Sequence, residues 1–200
     1  MSRLETALDH AVRALVDAGA RFALVGGIAI SARAEPRFTR DLDLAVAVRD
    51  DAEAETLLSS LSTAGYRIVS TVEQDATGRL ATARLAPPGE PDDGIVVDLL
   101  FASSGIEPEI VASAEPLVVF AGPPLPVATL PHLIALKVLS LDDRTRPQDR
   151  VDVAALVDRA TGADLEAARE ALASIAARGF ARQQDLHAKF DALLTTHERA

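Results

Sequence analysis

Asp41 and Asp43 lie two residues apart in TRDLDLAVAV (39–48), a stretch that otherwise reads as buried β-strand. Strand geometry sends both carboxylates to one face and Leu42, Leu44, Val46 and Val48 to the other. Two carboxylates this close repel, so one is expected to stay protonated unless a cation neutralises the pair. A hard divalent ion resolves the conflict, and Mg²⁺ binds through one or two carboxylates together with substrate phosphates. Asp98 in GIVVDLLFA (94–102) is a third acidic residue set among Val96, Val97, Leu99 and Leu100. On adjacent strands, three carboxylates make a cage for two metal ions about 4 Å apart. That arrangement activates an attacking oxygen and stabilises a leaving one in phosphoryl or nucleotidyl transfer. Taken singly, each has a plainer reading: Asp-x-Asp as the wet face of an edge strand, Asp98 as a strand end or half of a salt bridge.

The elements that must hold these groups follow from pattern. Leu4, Ala7, Leu8, Ala11, Val12, Leu15 and Val16 form one apolar helix face that ends at Gly19. FALV (22–25) is a strand, and Gly26-Gly27 then opens a short helix, IAISARA, at a turn that lets backbone N–H groups meet a triphosphate. After the strand LDLAVAV comes a helix over DAEAETLLSSLSTAGY, then three strands, YRIVSTV, LATARLA and IVVDLLFA, whose short breaks favour antiparallel neighbours. EPEIVASAEP reads as a short helix, PLVVFAG as a strand, and GPPLPVATLP as a Pro-rich connector that ends the α/β part. Beyond it the pattern is helical in LIALKVLSL, DRVDVAALVDRA, DLEAAREALASIAARG and ARQQDLHAKFDALL. The expected organisation is a mixed α/β domain over residues 1–128 and a C-terminal helical region over 129–200.

Composition narrows the classes. The absence of cysteine removes disulfides, thiolate metal sites and cysteine nucleophiles together. A formal charge of -10 argues against non-specific nucleic-acid binding through a net positive field, and 4% aromatic residues without Trp argue against a base-stacking platform. A polyanionic partner would need a local basic patch, for which Arg33, Arg37, Arg40, Arg144, Arg146 and Arg150 are candidates, with ordinary surface charge as the plainer account. His10, His132, His187 and His197 lack ligand spacing, and His132 is expected to face solvent at a helix start. No apolar run approaches the ~18 residues of a membrane span, and the charged N-terminal helix does not resemble a secretion signal. The cytoplasm is the expected location.

The run LVGGIAISARAEPRFTRDLDLAVAV (24–48) resembles the signature of the nucleotidyltransferase, or polymerase β-like, superfamily: an apolar strand, paired glycines, a short helix, Asp-x-Asp in a strand, and a later third carboxylate. Thr39-x-Asp41-x-Asp43, with LIALKVLSL (133–141) and RPQDRVDVAAL (146–156), is most similar to the AbiEii-like toxins of type IV toxin–antitoxin systems. The resemblance implies an α/β (α+β) nucleotidyltransferase fold, a mixed sheet flanked by helices and followed by a helical region. It implies an NTP substrate and two Mg²⁺ ions, with Asp41, Asp43 and Asp98 as catalytic metal ligands and Gly26, Gly27, Thr39, Arg40 and Lys137 against the nucleotide. Lys137 among Ile134, Leu136, Val138 and Leu139 reads equally as a lysine snorkelling from a core helix. Asp149 and Asp152 match the family's acidic pair, with helix capping or surface pairing to Arg146 or Arg150 as the simpler account. A tRNA end or a protein is the implied acceptor, and an antitoxin the implied partner. Small antibiotic nucleotidyltransferases share the paired glycines and Asp-x-Asp, so an aminoglycoside or lincosamide acceptor stays open, as does a catalytically silent binding module.

Overall fold

The computed structural model describes residues 2–36, 38–91, 94–142 and 147–197. Of the basic-patch candidates, Arg37, Arg144 and Arg146 lie outside the described residues. Helix α1 (Arg3–Asp17) starts at a reciprocal cap in which Ser2 accepts from the Glu5 N–H and Glu5 reaches back to the Ser2 N–H. It buries Ala7, Leu8, Ala11 and Leu15, the face expected from its spacing. Strand β1 (Phe22–Val25) is buried along its whole length and runs directly into α2 (Gly26–Arg33). Then come β2 (Asp41–Val46), α3 (Asp51–Thr63), β3 (Arg67–Glu73), β4 (Leu80–Ala86) and β5 (Val96–Leu100).

The remaining elements are α4 (Glu107–Ala112), β6 (Glu115–Val118), β7 (Pro124–Val127), α5 (Leu130–Ser140), α6 (Pro147–Val157), α7 (Gly162–Ala177) and α8 (Leu186–His197). One mixed seven-stranded sheet runs β3-β4-β5-β2-β1-β7-β6. As the short breaks predicted, β3, β4 and β5 are antiparallel neighbours, whereas β5 pairs parallel to β2 and β7 parallel to β1. Buried residues of the sheet and of the C-terminal helices join in one apolar cluster, with α2 packed on β1 and β2 and reaching α5 and α6.

Three expectations need correction. Within the Pro-rich stretch, residues 124–127 form a strand, not a connector: prolines cannot donate to a ladder, yet Leu125 and Val127 still pair with β6, and Val127 sits beside Leu24. The Ala128 N–H donates to the Leu24 carbonyl, so this strand seats the start of α5 on the centre of the sheet. His132 does not simply face solvent. Its Nδ1 lies 2.9 Å from Thr129 Oγ1 and 3.2 Å from Ser113 Oγ, and burial lowers its pKa. Finally, the helix read from residue 181 begins only at Leu186, because Arg182 and Gln183 take positive φ angles of 51° and 60° in a turn before it.

Candidate functional site

Cross-strand register sets the floor of the site. Val25 pairs with Asp43, Asp43 with Asp98, Asp98 with Arg84, and Arg84 with Ser70, one row crossing β1, β2, β5, β4 and β3. Alternation along β2 buries Leu42 and Leu44 and turns Asp41 and Asp43 to the opposite face. Above that face opens a cleft of about 800 Å³ whose walls include the β3–β4 hairpin and α5. Gly26, Gly27, Thr39, Asp41, Asp43, Asp98 and Lys137 all line it, so seven of the residues singled out from sequence share one cavity. Arg40 does not line it; this residue is exposed, with its guanidinium 5.6 Å from the centre of the Phe38 ring.

The glycine turn and Asp43 are fitted to one another. Gly26 takes φ +63°, and a methyl group in place of its hydrogen would sit 1.9 Å from Asp43 Oδ2. The Gly27 N–H lies close enough to Asp43 to stabilise its charged form. The N-cap residue Val25 supplies no side-chain cap to α2, whose first residues line the cleft. Gly26→Ala is therefore expected to displace the Asp43 carboxylate. Activity should fall roughly 100-fold and stability by about 1–3 kcal/mol, measured as NMP incorporation and urea unfolding.

Burial pushes the Asp43 carboxyl up to about 6 from 3.8, with the charges of Asp98 and then Asp41 adding to the effect. The positive charge of Lys137 and the Gly27 N–H oppose the rise without cancelling it. Such a group lacks compensating positive charge. Three hard oxygen donors on one cleft face suit a divalent cation, with Asp41 and Asp43 as the pair nearest to ready. Among the described residues, however, no three acidic or imidazole side chains stand close enough to share an ion as they are. Both oxygens of Asp98 are held by Arg84: Nε donates to Oδ1 at 2.8 Å and Nη2 to Oδ2 at 2.7 Å.

Lys137 is neither snorkelling nor free. Its Nζ donates to Asp149 Oδ1 at 2.6 Å and stands 2.9 Å from Asp152 Oδ2. Asp149 and Asp152 are buried, three residues apart on one face of α6, and Asp149 also accepts from Ser140 Oγ at 2.8 Å. Capping or surface pairing with arginines is thus replaced by a buried Lys–Asp–Asp cluster at the cleft wall. Arg33 leaves the basic patch as well: it donates to the Val127 and Ala128 carbonyls and pairs with Glu115 at 2.9 Å, riveting α2 to the β6–β7 ribbon.

Reasoning from sequence missed Arg84, Arg182 and Ser103, all lining the cleft. Arg182 donates to the Ser103 carbonyl at 3.3 Å. The loop bearing Ser103 is in turn anchored by the buried Glu107, which accepts the Ser103 and Ser104 N–H groups. Arg84 had a signal available: it is the one charged residue in LATARLA, on the strand next to Asp98.

A family model described as nucleotidyl transferase AbiEii toxin, type IV TA system, matches residues 7–198. Among solved structures, the antibiotic-resistance factor ANT(2'')-Ia in solution is similar in fold, with 18% identity, TM-score 0.50, and coverage of 98% of this chain and 97% of that one. An antigenic nucleotidyltransferase-like protein from Paracoccidioides brasiliensis gives 19% identity and TM-score 0.50 over 96% of this chain and 94% of that one. No curated protein matches the sequence. The match over nearly all of the chain, on a sheet that sets two aspartates beside a glycine turn, makes it a member of the AbiEii nucleotidyltransferase toxin family.

Proposed function

We propose that this nucleotidyltransferase moves an NMP from an NTP to an acceptor hydroxyl with Mg²⁺, releasing pyrophosphate. The observation that carries the reading is the half-buried Asp43, its pKa raised, set against the Gly26–Gly27 turn, with Asp41 and Asp98 facing the same cleft. Asp41 and Asp43 would hold the metal, and Asp98 would complete the set of carboxylate ligands. Bound divalent ions supply the charge that neutralises the triphosphate and makes the acceptor hydroxyl a better nucleophile. The N-terminal end of α2 receives phosphate oxygens. Lys137, already in the cleft wall, presents its ammonium to the same phosphates, with Asp149 and Asp152 fixing its position. Thr39, just before β2, lines the cleft beside these carboxylates. In this reading residues 1–128 form the catalytic domain and 129–200 the helical region that delivers Lys137.

The type IV toxin–antitoxin family supports an antitoxin partner, and the reading takes a tRNA end or a protein as the acceptor and the cytoplasm as the location. Among the described residues no helix is long and apolar enough to cross a membrane. One observation favours a second reading: Glu73, Gln74 and Asp75 on the β3–β4 wall would draw a cationic small molecule such as an aminoglycoside.

The test is incubation of the protein with each labelled NTP, Mg²⁺ and total cellular RNA, beside an Asp41→Asn, Asp43→Asn variant. Label entering RNA or protein with the wild type alone is the expected result. Label only in an added aminoglycoside would select the second reading, and NTP binding without transfer to any acceptor would overturn both.

A further inference from the structure

Arg84 stands opposite Asp98 in the β4–β5 register and closes on it with two parallel hydrogen bonds, at 2.8 and 2.7 Å. A planar guanidinium matches a carboxylate in this fork as no lysine can. Both Asp98 oxygens are thereby engaged from the β4 side, whereas Asp41 and Asp43 take part in no such pairing with Arg84. The arginine is anchored at its base by the strand, yet its side chain is 44% exposed to the cleft against 12% for Asp98, so it has room to swing away. Of the cleft-lining carboxylates on the floor, only Asp98 therefore carries its own cation.

We propose that Arg84 is the resident counter-ion of Asp98 and competes with a divalent cation for that carboxylate. Resting on the reading that the three aspartates are metal ligands, this assigns an order to the site. Asp41 and Asp43 accept a first ion directly, and Asp98 becomes available to a second only as the guanidinium turns away. Arg84 is then a positioning residue acting through Asp98. It differs from a residue that merely steadies a ligand, whose loss would weaken the metal site.

Mn²⁺ is titrated calorimetrically into the nucleotide-free full chain at neutral pH, for wild type, Arg84→Gln, Arg84→Lys and Asp43→Asn. Arg84→Gln is expected to bind Mn²⁺ roughly tenfold more tightly, or to take up a second ion, since three carboxylates then face the cleft without a fixed cation. Arg84→Lys, which keeps the charge and loses the fork, should fall between. Unchanged or weaker Mn²⁺ binding in Arg84→Gln overturns the proposal; should that variant not fold without metal, the same result in Arg84→Lys does so. Mn²⁺ bound as well by Asp43→Asn as by wild type would instead sink the metal reading of the aspartates, taking this inference with it.

Discussion

Asp43→Asn is expected to abolish nucleotide transfer, by roughly 10³-fold or more, and yet to make the metal-free protein more stable than wild type at neutral pH. Both effects come from one cause, a half-buried carboxylate whose charge Lys137 only partly compensates and a bound cation would neutralise. Its pKa rises from 3.8 to about 6 on folding. The folded chain thus holds a proton that the unfolded chain gives up between those values. Wild-type stability is unaffected by this group below pH 3.8, falls as the pH climbs through 6, and then stays low. The deficit above that window is on the order of 3 kcal/mol. Asparagine keeps the shape, can still accept the Gly27 N–H, and has no charge to bury. Urea unfolding in EDTA across the pH range should show the variant's advantage only above the window, and saturating Mg²⁺ should erase it by stabilising wild type. A variant no more stable than wild type at neutral pH would contradict the account.

The second large effect is on the fold. Lys137→Met should destabilise the protein by about 3–5 kcal/mol, because it leaves two carboxylates buried without their cation. Asp149 and Asp152 are 5% and 2% exposed, so water cannot replace the lysine. Asp149 would keep the hydrogen bond from Ser140, and Asp152 that from Gln148. Adding Asp149→Asn and Asp152→Asn to Lys137→Met should recover most of the loss while activity stays absent, separating the structural role of the cluster from its place in the cleft. Denaturation midpoints of the single and triple variants check this. If Lys137→Met unfolds at the wild-type midpoint, the cluster does not bind α5 to α6 as described.

Much of the floor was legible because it depends on short-range pattern. Asp-x-Asp in an alternating strand shows its face directly, and paired glycines after a buried strand mark a close approach, here that of Asp43 to Gly26. Partnerships set by register were hidden. Arg84 reads as surface charge until β4 is aligned with β5, and the β3–β4 pairing shifts register twice, between Ile68 and Ser70 and between Val72 and Glu73. Strand β7 was missed because Pro124 and Pro126 suppress its local signal, while its place comes from a long-range neighbour, β1. The Lys137 cluster was half visible. Asp149 and Asp152 look like the wet side of an amphipathic helix unless one knows that a lysine from α5 lies beneath them.

Arg33 ties the glycine helix to the strand that launches α5, so these two walls of the cleft move together. Strand β3 lies at the sheet edge and is exposed along its whole length. Amide hydrogen exchange should accordingly divide the cleft, slow around β1, α2 and β7 and fast in the β3–β4 hairpin. On the proposed reading of the cleft, this division would let the hairpin wall diverge in evolution while the half built on β1, α2 and β7 stays intact.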